Sequence, residues 1–457
     1  RMNSLIWGAP MILSILIIGV ILTFGCRFIQ IRHLPLSLKY MLKNEAGGQG
    51  DVTSFQALCT ALSATIGTGN IVGVATAIVA GGPGALFWLE IAGILGMATK
   101  YAEGLLAVKY RIFDDTGKAL GGPFYYIENG LGHKWKWLAK IFAFFGMAAG
   151  LLGIGTITQI NGITSAAETF FDPNKLHTVN ILGREYTLAL ILSGILVSVL
   201  VSIVLIGGVK RIGRVAEIIV PLMIIIYAVL CIFMIIVNIT RLPSVIVEII
   251  ESAFGLRTVS GGAIGAMIIS MQKGIARGIF CNESGLGSSP IAVAAAQSKE
   301  PVRQGLVSMA GTLIGTLGVC NMTGMAIILT GAWDKGLDGS AVTIYAFTKA
   351  LPISQTLASL VLMTCLVFFA FRTILGWNYY SDRCLSYLSG GNSKYSSIFR
   401  VLYIFAVFLG PYLSVADVWT IADVFNGLMA FPNIIALVFL SPIVFKETKI
   451  YFLSSEK

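Results

Sequence analysis

The chain has 457 residues, of which 56% are hydrophobic and 12% are charged, and its mean hydropathy is +0.84. These values exclude a soluble globular protein and are typical of a polytopic membrane protein. The formal net charge of +10 does not indicate a nucleic-acid partner, because the basic residues lie in short loops between apolar segments, where membrane topology accounts for them.

Apolar segments long enough to cross a lipid bilayer recur along the whole chain. We predict an all-α polytopic protein with about eleven transmembrane helices in a single domain, residues 1–457, with no separate soluble domain. The predicted spans lie near residues 5–26, 55–80, 84–108, 138–170, 187–206, 215–238, 262–283, 304–331, 355–381, 398–413 and 417–445.

The order of the spans predicts an internal repeat. Residues 1–54 hold one extra helix and a loop, and the other ten spans divide into two groups of five, residues 55–238 and 262–445. The first helix of each group contains an interruption rich in glycine and polar residues. Because five is odd, the second group must cross the membrane inverted relative to the first, with a central site where the two broken helices meet.

The distribution of basic residues predicts the orientation. With the N-terminus outside, 21 of the 32 Lys and Arg residues fall in loops on one side and seven on the other. The positive-inside rule then places the basic side and the C-terminus in the cytoplasm of a multi-pass plasma-membrane protein. Two amphipathic segments on the outer side, 243–254 and 341–350, are interpreted either as gates or as connecting helices.

The first interruption, residues 64–73, has the features of a ligand site. The backbone of Gly67 and Gly69 can leave helical geometry, and a half-helix restarting after Asn70 presents free N–H groups at its positive dipole end. A carboxylate is the natural ligand of such an end. Other oxygens come from the side chains of Thr65 and Thr68 and the carbonyls of Ser63 and Ile66, which could hold a small cation. A glycine-rich packing seam is the alternative interpretation.

The second interruption is predicted at 274–278 and continues through 282–287. Lys273 precedes it and is unexpected, because a lysine at mid-depth costs several kcal/mol unless it is paired or hydrated. Either Lys273 is functional, or it extends to the membrane interface. Arg277 and Glu283 lie nearer the cytoplasmic end and are interpreted as a structural or gating ion pair.

Three other polar residues fall inside predicted spans. Glu90 either pairs with Lys273 or Arg372 or takes part in proton coupling. Gln159 either reaches a bound solute or bridges two helices. Arg372 is an ionisable group at depth, next to Thr373, and is therefore a candidate site residue.

Motifs for other classes of membrane protein are absent from the sequence. It contains no G-x-x-x-x-G-K-[ST] loop and no H-E-x-x-H, and its three histidines are dispersed in loops. Its seven cysteines show no C-x-x-C spacing, which argues against a zinc site or a disulfide framework. We therefore expect neither an enzyme nor an ATP-driven pump.

Four motifs together carry a family resemblance. They are Thr65-Ile-Gly-Thr-Gly-Asn-Ile71, Gly81-Gly-Pro-Gly-Ala-Leu-Phe-Trp88, Gly96-Met-Ala-Thr-Lys-Tyr-Ala-Glu103 and Arg277-Gly-Ile-Phe-Cys-Asn-Glu-Ser-Gly-Leu-Gly-Ser288. In this order they resemble the alanine or glycine:cation symporter family, and the likeness covers essentially the whole chain. The resemblance implies a leucine-transporter-like inverted repeat that imports alanine or glycine with sodium. We expect a monomer that works by alternating access and needs no cofactor other than the coupling ion.

The resemblance also implies which residues bind. The substrate carboxylate would meet the backbone at Thr68 and Gly69 beside Asn70, in a pocket shaped by Thr65, Gln159, Gln272, Lys273, Gly274 and Trp377. A sodium ion would bind the carbonyls of Ser63 and Ile66 together with groups of Phe369, Arg372 and Thr373.

Three charged residues depart from the family pattern, which is mostly neutral at Glu90, Lys273 and Arg372. The guanidinium of Arg372 is the most consequential, because it would repel a sodium ion beside it. The departures leave an alternative open, a proton-coupled or exchange transporter for glutamine or another larger amino acid. A channel or a non-transporting sensor is a third hypothesis, although channels usually show repeated polar rings along a pore.

Overall fold

The computed structural model describes residues 8–43, 48–115, 117–181, 183–206, 208–256 and 262–455. Arg1, Arg257 and Lys457, which enter the charge count above, lie outside these ranges, as does the start of the first predicted span. The observations below concern the described residues.

The described chain is mostly helical. Its first part forms α1 (Ala9–Gly25), α2 (Ile29–Arg32), α3 (Leu34–Leu42), α4 (Ser54–Thr65), α5 (Val72–Gly81), α6 (Gly84–Lys109), α7 (Pro123–Leu131), α8 (Lys136–Leu152) and α9 (Ile157–Phe171). Its second part forms α10 (Leu188–Ile206), α11 (Gly208–Val237), α12 (Leu242–Ala253), α13 (Ala263–Asn282), α14 (Pro290–Val293), α15 (Pro301–Thr312), α16 (Asn321–Thr330), α17 (Ser340–Ala350), α18 (Gln355–Leu388), α19 (Ser393–Leu409) and α20 (Val415–Ser455).

Short elements complete the fold. A π-helix, Leu313–Cys320, joins α15 to α16. Single turns of 3₁₀ helix lie at Thr68–Asn70, His133–Trp135, Ile239–Arg241, Ala332–Asp334 and Gly410–Tyr412. Two antiparallel hairpins, which the sequence did not predict, pair β1 (Ile112–Phe113) with β2 (Ala119–Leu120) and β3 (Thr178–Ile181) with β4 (Arg184–Thr187).

The predicted spans correspond to helices. Eight described helical segments are long and apolar enough to cross a membrane, and the bent pair of α4 with the segment Thr68–Gly81 makes a ninth. Helices α1 and α13 occupy the two remaining predicted positions without meeting the same criterion of length and hydropathy. The total of eleven spans therefore stays a prediction, as do the two groups of five. The amphipathic segments 243–254 and 341–350 are the helices α12 and α17.

The first predicted break is confirmed. Helix α4 begins with a capping box in which Thr53 and Gln56 exchange hydrogen bonds, and it ends at Thr65. The amide of Gly67 donates to the Asn70 side chain at 3.0 Å instead of continuing the helical ladder. The helical segments on either side of the break are bent by 66°.

Only the later part of the second predicted break, 282–287, is confirmed. Helix α13 is continuous from Ala263 to Asn282, so the predicted interruption at 274–278 is wrong, and the helix ends at Glu283 in a left-handed conformation (φ 54°). The glycines pack instead. A Cβ on Gly274 would lie 2.9 Å from the Cβ of Trp88, and one on Gly278 would lie 3.0 Å from that of Ala92. They therefore serve the close contact of α13 with α6.

A third interruption was not predicted. The fourth span, expected to be continuous over 138–170, is divided into α8 and α9 by a non-helical turn at 153–156. Together with the π-helix Leu313–Cys320, this turn places two further irregular backbone segments beside the first break. Irregular backbone at membrane depth survives only where it is buried in protein or lines a cavity.

Candidate functional site

The first break lies against α9 and α18, and most of the predicted site residues converge there. Five polar side chains at this junction are nearly or fully buried, with exposures between 0 and 1%. They are Ser63, Thr68, Gln159, Arg372 and Thr373. Buried polar groups need partners, and these residues largely supply them to one another.

The space around the break leaves no room for a side chain at Gly67. A Cβ there would lie 2.7 Å from the hydroxyl oxygen of Thr373 and 2.9 Å from Oε1 of Gln159. Glycine is therefore required by close approach of α9 and α18 to the unwound backbone.

The amide of Gly69 is a free donor in the described part of the break. The amides of Gly67, Thr68 and Asn70 each have a partner, whereas the buried Gly69 N–H has none among the described residues. The ring of Phe280 lies beside it, since a Cβ on Gly69 would be 3.1 Å from that ring. A buried, unpaired N–H at the start of a half-helix is suited to a carboxylate.

Gln159 bridges two irregular segments. Its Oε1 accepts from both the amide and the hydroxyl of Thr68, each at 3.2 Å. Its Nε2 donates to the carbonyl of Ile154, at 2.9 Å, inside the turn between α8 and α9. Both ends of the side-chain amide are thus engaged within the protein, so Gln159 positions Thr68 through these bonds.

Asn70 ties the first break to the π-helix. Its Oδ1 accepts from the amide of Gly67, at 3.0 Å, and its Nδ2 donates to the carbonyl of Gly315, at 3.1 Å. Nδ2 also lies 3.2 Å from the sulfur of Cys320. One fully buried side chain therefore holds the unwound backbone of both segments.

We expect Asn70→Ala to reduce amino-acid uptake at least about tenfold, because it leaves the buried Gly67 amide without its partner, which costs about 1–3 kcal/mol, and removes the bond to the Gly315 carbonyl. Initial uptake rates in reconstituted vesicles measure the effect. Asn129, whose exposed side chain bonds the Tyr110 carbonyl, is the control, and Asn129→Ala should transport normally. Equal rates for both variants would contradict the role of Asn70.

Thr373 and Arg372 meet the carbonyls released by the break. The Thr373 hydroxyl lies 3.1 Å from the Ser63 carbonyl oxygen, 3.3 Å from that of Ile66 and 2.9 Å from that of Phe369. The guanidinium of Arg372 donates to the same Ile66 carbonyl, through Nη2, at 2.8 Å. The backbone carbonyl of Arg372 in turn accepts from the Ser63 hydroxyl, at 2.9 Å.

The expected sodium ion does not fit this arrangement. The oxygen of Ile66, one of its predicted ligands, already accepts a hydrogen bond from a charged guanidinium. Two unit charges about 4 Å apart repel by about 4 kcal/mol at an effective dielectric constant of 20. The residues present therefore oppose a second cation between Ser63 and Thr373.

Trp377 and Thr65 lie next to the second break. Trp377 is fully buried, and its indole nitrogen has no hydrogen-bond partner among the described residues. Both side chains lie beside the carboxyl group of Glu283, the residue at which α13 ends. The two breaks are thus adjacent through these three residues, although Glu283 was expected to form an ion pair with Arg277.

Three predicted pocket residues lie elsewhere. The side chains of Gln272 and Lys273 are exposed on the outside of α13, as expected for a lysine that extends to the interface, and Gly274 packs against α6. Glu90 forms no ion pair with Lys273 or Arg372 among the described residues, and its buried Oε1 has no hydrogen-bond partner there. The predicted pairings of Glu90 are therefore wrong.

A polar network that was not predicted from the sequence holds the second break. Glu103 accepts from the Gly285 amide at 3.0 Å and from Asn433 Nδ2 at 2.7 Å. One turn away on α6, Lys100 donates to the hydroxyl of Ser289, at 2.7 Å. The available signal was a lysine and a glutamate three residues apart within an otherwise apolar span.

An ion pair connects α13 with the last helix. Nη1 of Arg277 lies 3.9 Å from Oδ1 of Asp423, and its guanidinium lies 5.5 Å from the centre of the Phe280 ring. Phe280 also lies beside Gly69. The ring of Phe280 is therefore the layer between the ion pair and the candidate substrate position. Arg277 thus pairs with Asp423 rather than with Glu283.

Comparisons with known proteins agree with this architecture. The model of the "Sodium:alanine symporter family" matches residues 1–457. The chain is 50% identical to an "Uncharacterized transporter" of Haemophilus influenzae, with 98% of this chain and 94% of that protein covered. It is 40% identical to the "Sodium/alanine symporter AgcS" of Methanococcus maripaludis, with 98% and 95% covered.

A solved structure shares the fold. The crystal structure of MhsT in complex with L-phenylalanine matches with a TM-score of 0.54 at 16% identity, covering 89% of this chain and all of that one. At this identity the likeness concerns the fold alone, and it supports the leucine-transporter-like architecture.

Proposed function

Because the chain belongs to the sodium:alanine symporter family, we propose that it is a secondary transporter that imports a small neutral amino acid, alanine or glycine, across the plasma membrane. The family's members are amino-acid transporters, and the fold is that of a multi-pass membrane protein. In the proposed orientation the N-terminus is outside and the C-terminus is in the cytoplasm.

The unpaired amide of Gly69 is the observation that carries the proposal. It lies at the start of a half-helix, buried beside Phe280, where a carboxylate would find a donor and a favourable dipole. The carboxylate is the group shared by all amino-acid substrates. The close ring of Phe280 leaves more room for a small side chain than for a large one.

Alternating access would use the junction between the two breaks. The pair of Arg277 and Asp423 joins α13 to α20 one layer from Gly69, and we propose that it opens and closes access to the substrate position from one side of the membrane. Such a pair is suited to a gate, because a partly exposed ion pair at 3.9 Å is weak and breaks readily.

Two couplings are proposed. The family description and the name of the 40% identical relative support sodium. The guanidinium of Arg372 on the Ile66 carbonyl favours a second candidate, in which import is coupled to protons or to exchange and does not require sodium.

Uptake of radiolabelled alanine and glycine into proteoliposomes tests these proposals. We expect saturable uptake of either substrate, inhibited by the other, with excess glutamine as a competitor to detect a larger pocket. Measurements with an inward sodium gradient, with a proton gradient and with alanine preloaded inside distinguish the couplings. The absence of uptake and exchange under every gradient would contradict amino-acid transport, and ion currents far above carrier rates would indicate a channel.

A further inference from the structure

Arg372 brings a positive charge into the centre of the site. Its side chain is fully buried, its Nε and Nη1 have no hydrogen-bond partner among the described residues, and no described carboxylate pairs with it. A guanidinium does not lose its proton in proteins. The charge must therefore be compensated by dipoles at this position.

Two groups provide that compensation. The Ile66 carbonyl, which lies just beyond the end of α4 and outside its hydrogen-bond ladder, accepts from Nη2 at 2.8 Å. The ring of Phe369 lies 4.8 Å from the guanidinium carbon, within the range of a cation–π contact. Carbonyl oxygens and an aromatic face are ligands for cations, and here they receive a cation that is part of the protein.

The neighbouring carbonyls have more acceptor capacity than Thr373 can satisfy. Its hydroxyl lies within 3.3 Å of the carbonyl oxygens of Ser63, Ile66 and Phe369, but it has a single proton to donate. Three convergent carbonyl dipoles with one shared hydroxyl proton favour a nearby positive charge. The residue next to Thr373 supplies this charge on the Ile66 oxygen.

We propose that the guanidinium of Arg372 is a built-in cation, which takes the place of a sodium ion between the carbonyls of Ser63 and Ile66 and the hydroxyl of Thr373. It holds the unwound end of α4 against α18 permanently, so that this contact does not depend on the ionic composition of either side. A sodium ion that drives transport would have to bind at another position.

The inference rests on the proposed function only where it concerns the transport cycle. Ion binding itself can be measured without transport. The experiment uses purified, detergent-solubilised full chain and radioactive sodium, with potassium as the competing ion. For the wild type we expect no saturable sodium binding that depends on Thr373. For Arg372→Ser we expect sodium affinity to rise at least about tenfold over the wild type, and to be lost again in the double variant with Thr373→Val.

Two control variants match the test. Arg372→Lys retains a positive charge and should bind sodium as weakly as the wild type. Arg383 is a nearly buried arginine on the same helix whose guanidinium lies 5.1 Å from the centre of the Tyr379 ring, and Arg383→Ser should not gain sodium binding. Unchanged sodium binding in a folded Arg372→Ser protein would overturn the proposal.

Hydrogen exchange of the wild type gives a second test that needs no variant. We expect the amides of residues 63–70 to exchange at the same rate in sodium and in potassium. Protection of these amides by millimolar sodium would overturn the proposal even if Arg372→Ser does not fold. Alanine binding is measured separately on the same sample and tests the proposed function itself. A protein that binds no amino acid can still either bind sodium or fail to bind it, so the two failures are distinguishable.

Discussion

Replacing Gln159 by methionine is expected to lower the initial rate of amino-acid uptake by about 100-fold. The Thr68 amide and hydroxyl would lose their shared acceptor, and the Ile154 carbonyl would keep only the Thr158 hydroxyl as a side-chain donor. Each buried polar group left without a partner costs about 1–3 kcal/mol. The break between α4 and α5 would then be free to leave the geometry that presents the Gly69 amide.

Methionine is chosen because its volume is close to that of glutamine, so that a loss of rate reports hydrogen bonds rather than a cavity. The control is Gln30→Met, at a buried glutamine that bonds Thr23 at 2.9 Å near the end of α1. Rates are normalised to the amount of protein reconstituted. Near-normal uptake by Gln159→Met would show that Gln159 does not position the site.

The first break could be predicted from the sequence because two glycines, threonines and an asparagine coincide within an apolar segment. Helical packing alone does not need this combination, and the structure shows what it is for. Gly67 admits α9 and α18 at close range, and Asn70 replaces a lost helical bond. Local composition and local geometry agree at this break, so its position could be predicted from the sequence.

The start of the second break could not be predicted, because a glycine in a membrane helix either interrupts the helix or lets it pack closely against another. Gly274 and Gly278 allow α13 to approach α6, and only residues on the other helix reveal that contact. The true break follows at Glu283, where the chain turns into the left-handed region at φ 54°. The tertiary contacts of these two glycines distinguish a packing glycine from one that interrupts the helix. Sequence spacing does not give those contacts.

The hydrogen-bond and ion-pair partners of the charged residues could not be predicted from the sequence either. Arg372 was correctly singled out by its depth, but its contact with the Ile66 carbonyl joins residues about 300 positions apart. Pairing with a basic residue was one of two interpretations of Glu90, and its buried Oε1 has no hydrogen-bond partner among the described residues. Long-range polar partners depend on helix rotation and register, which a period of 3.6 residues determines only approximately.

Replacing Glu103 by methionine is expected to destabilise the whole protein. Its carboxylate accepts from the Gly285 amide and from Asn433, while Asn433 also donates to the Gly285 carbonyl, at 2.9 Å, and accepts from the Tyr126 hydroxyl. Glu103 is fully buried, and removing one partner from a buried charged network costs about 3–5 kcal/mol. Lys100, one turn away, would lose a neighbouring negative charge.

Thermal unfolding of the purified protein, followed by the loss of the monodisperse peak on size exclusion, measures this effect. We expect Glu103→Met to lower the apparent melting temperature by at least about 5 °C, and Glu103→Gln, which retains an acceptor for Gly285, to lower it less. Glu447, which pairs with Lys109 at 3.0 Å on the partly exposed end of α20, is the matched control, since an exposed pair contributes at most about 1 kcal/mol. A Glu103→Met protein as stable as Glu447→Met would mean that the break at Glu283 is held by packing, and that the carboxylate is retained for another reason.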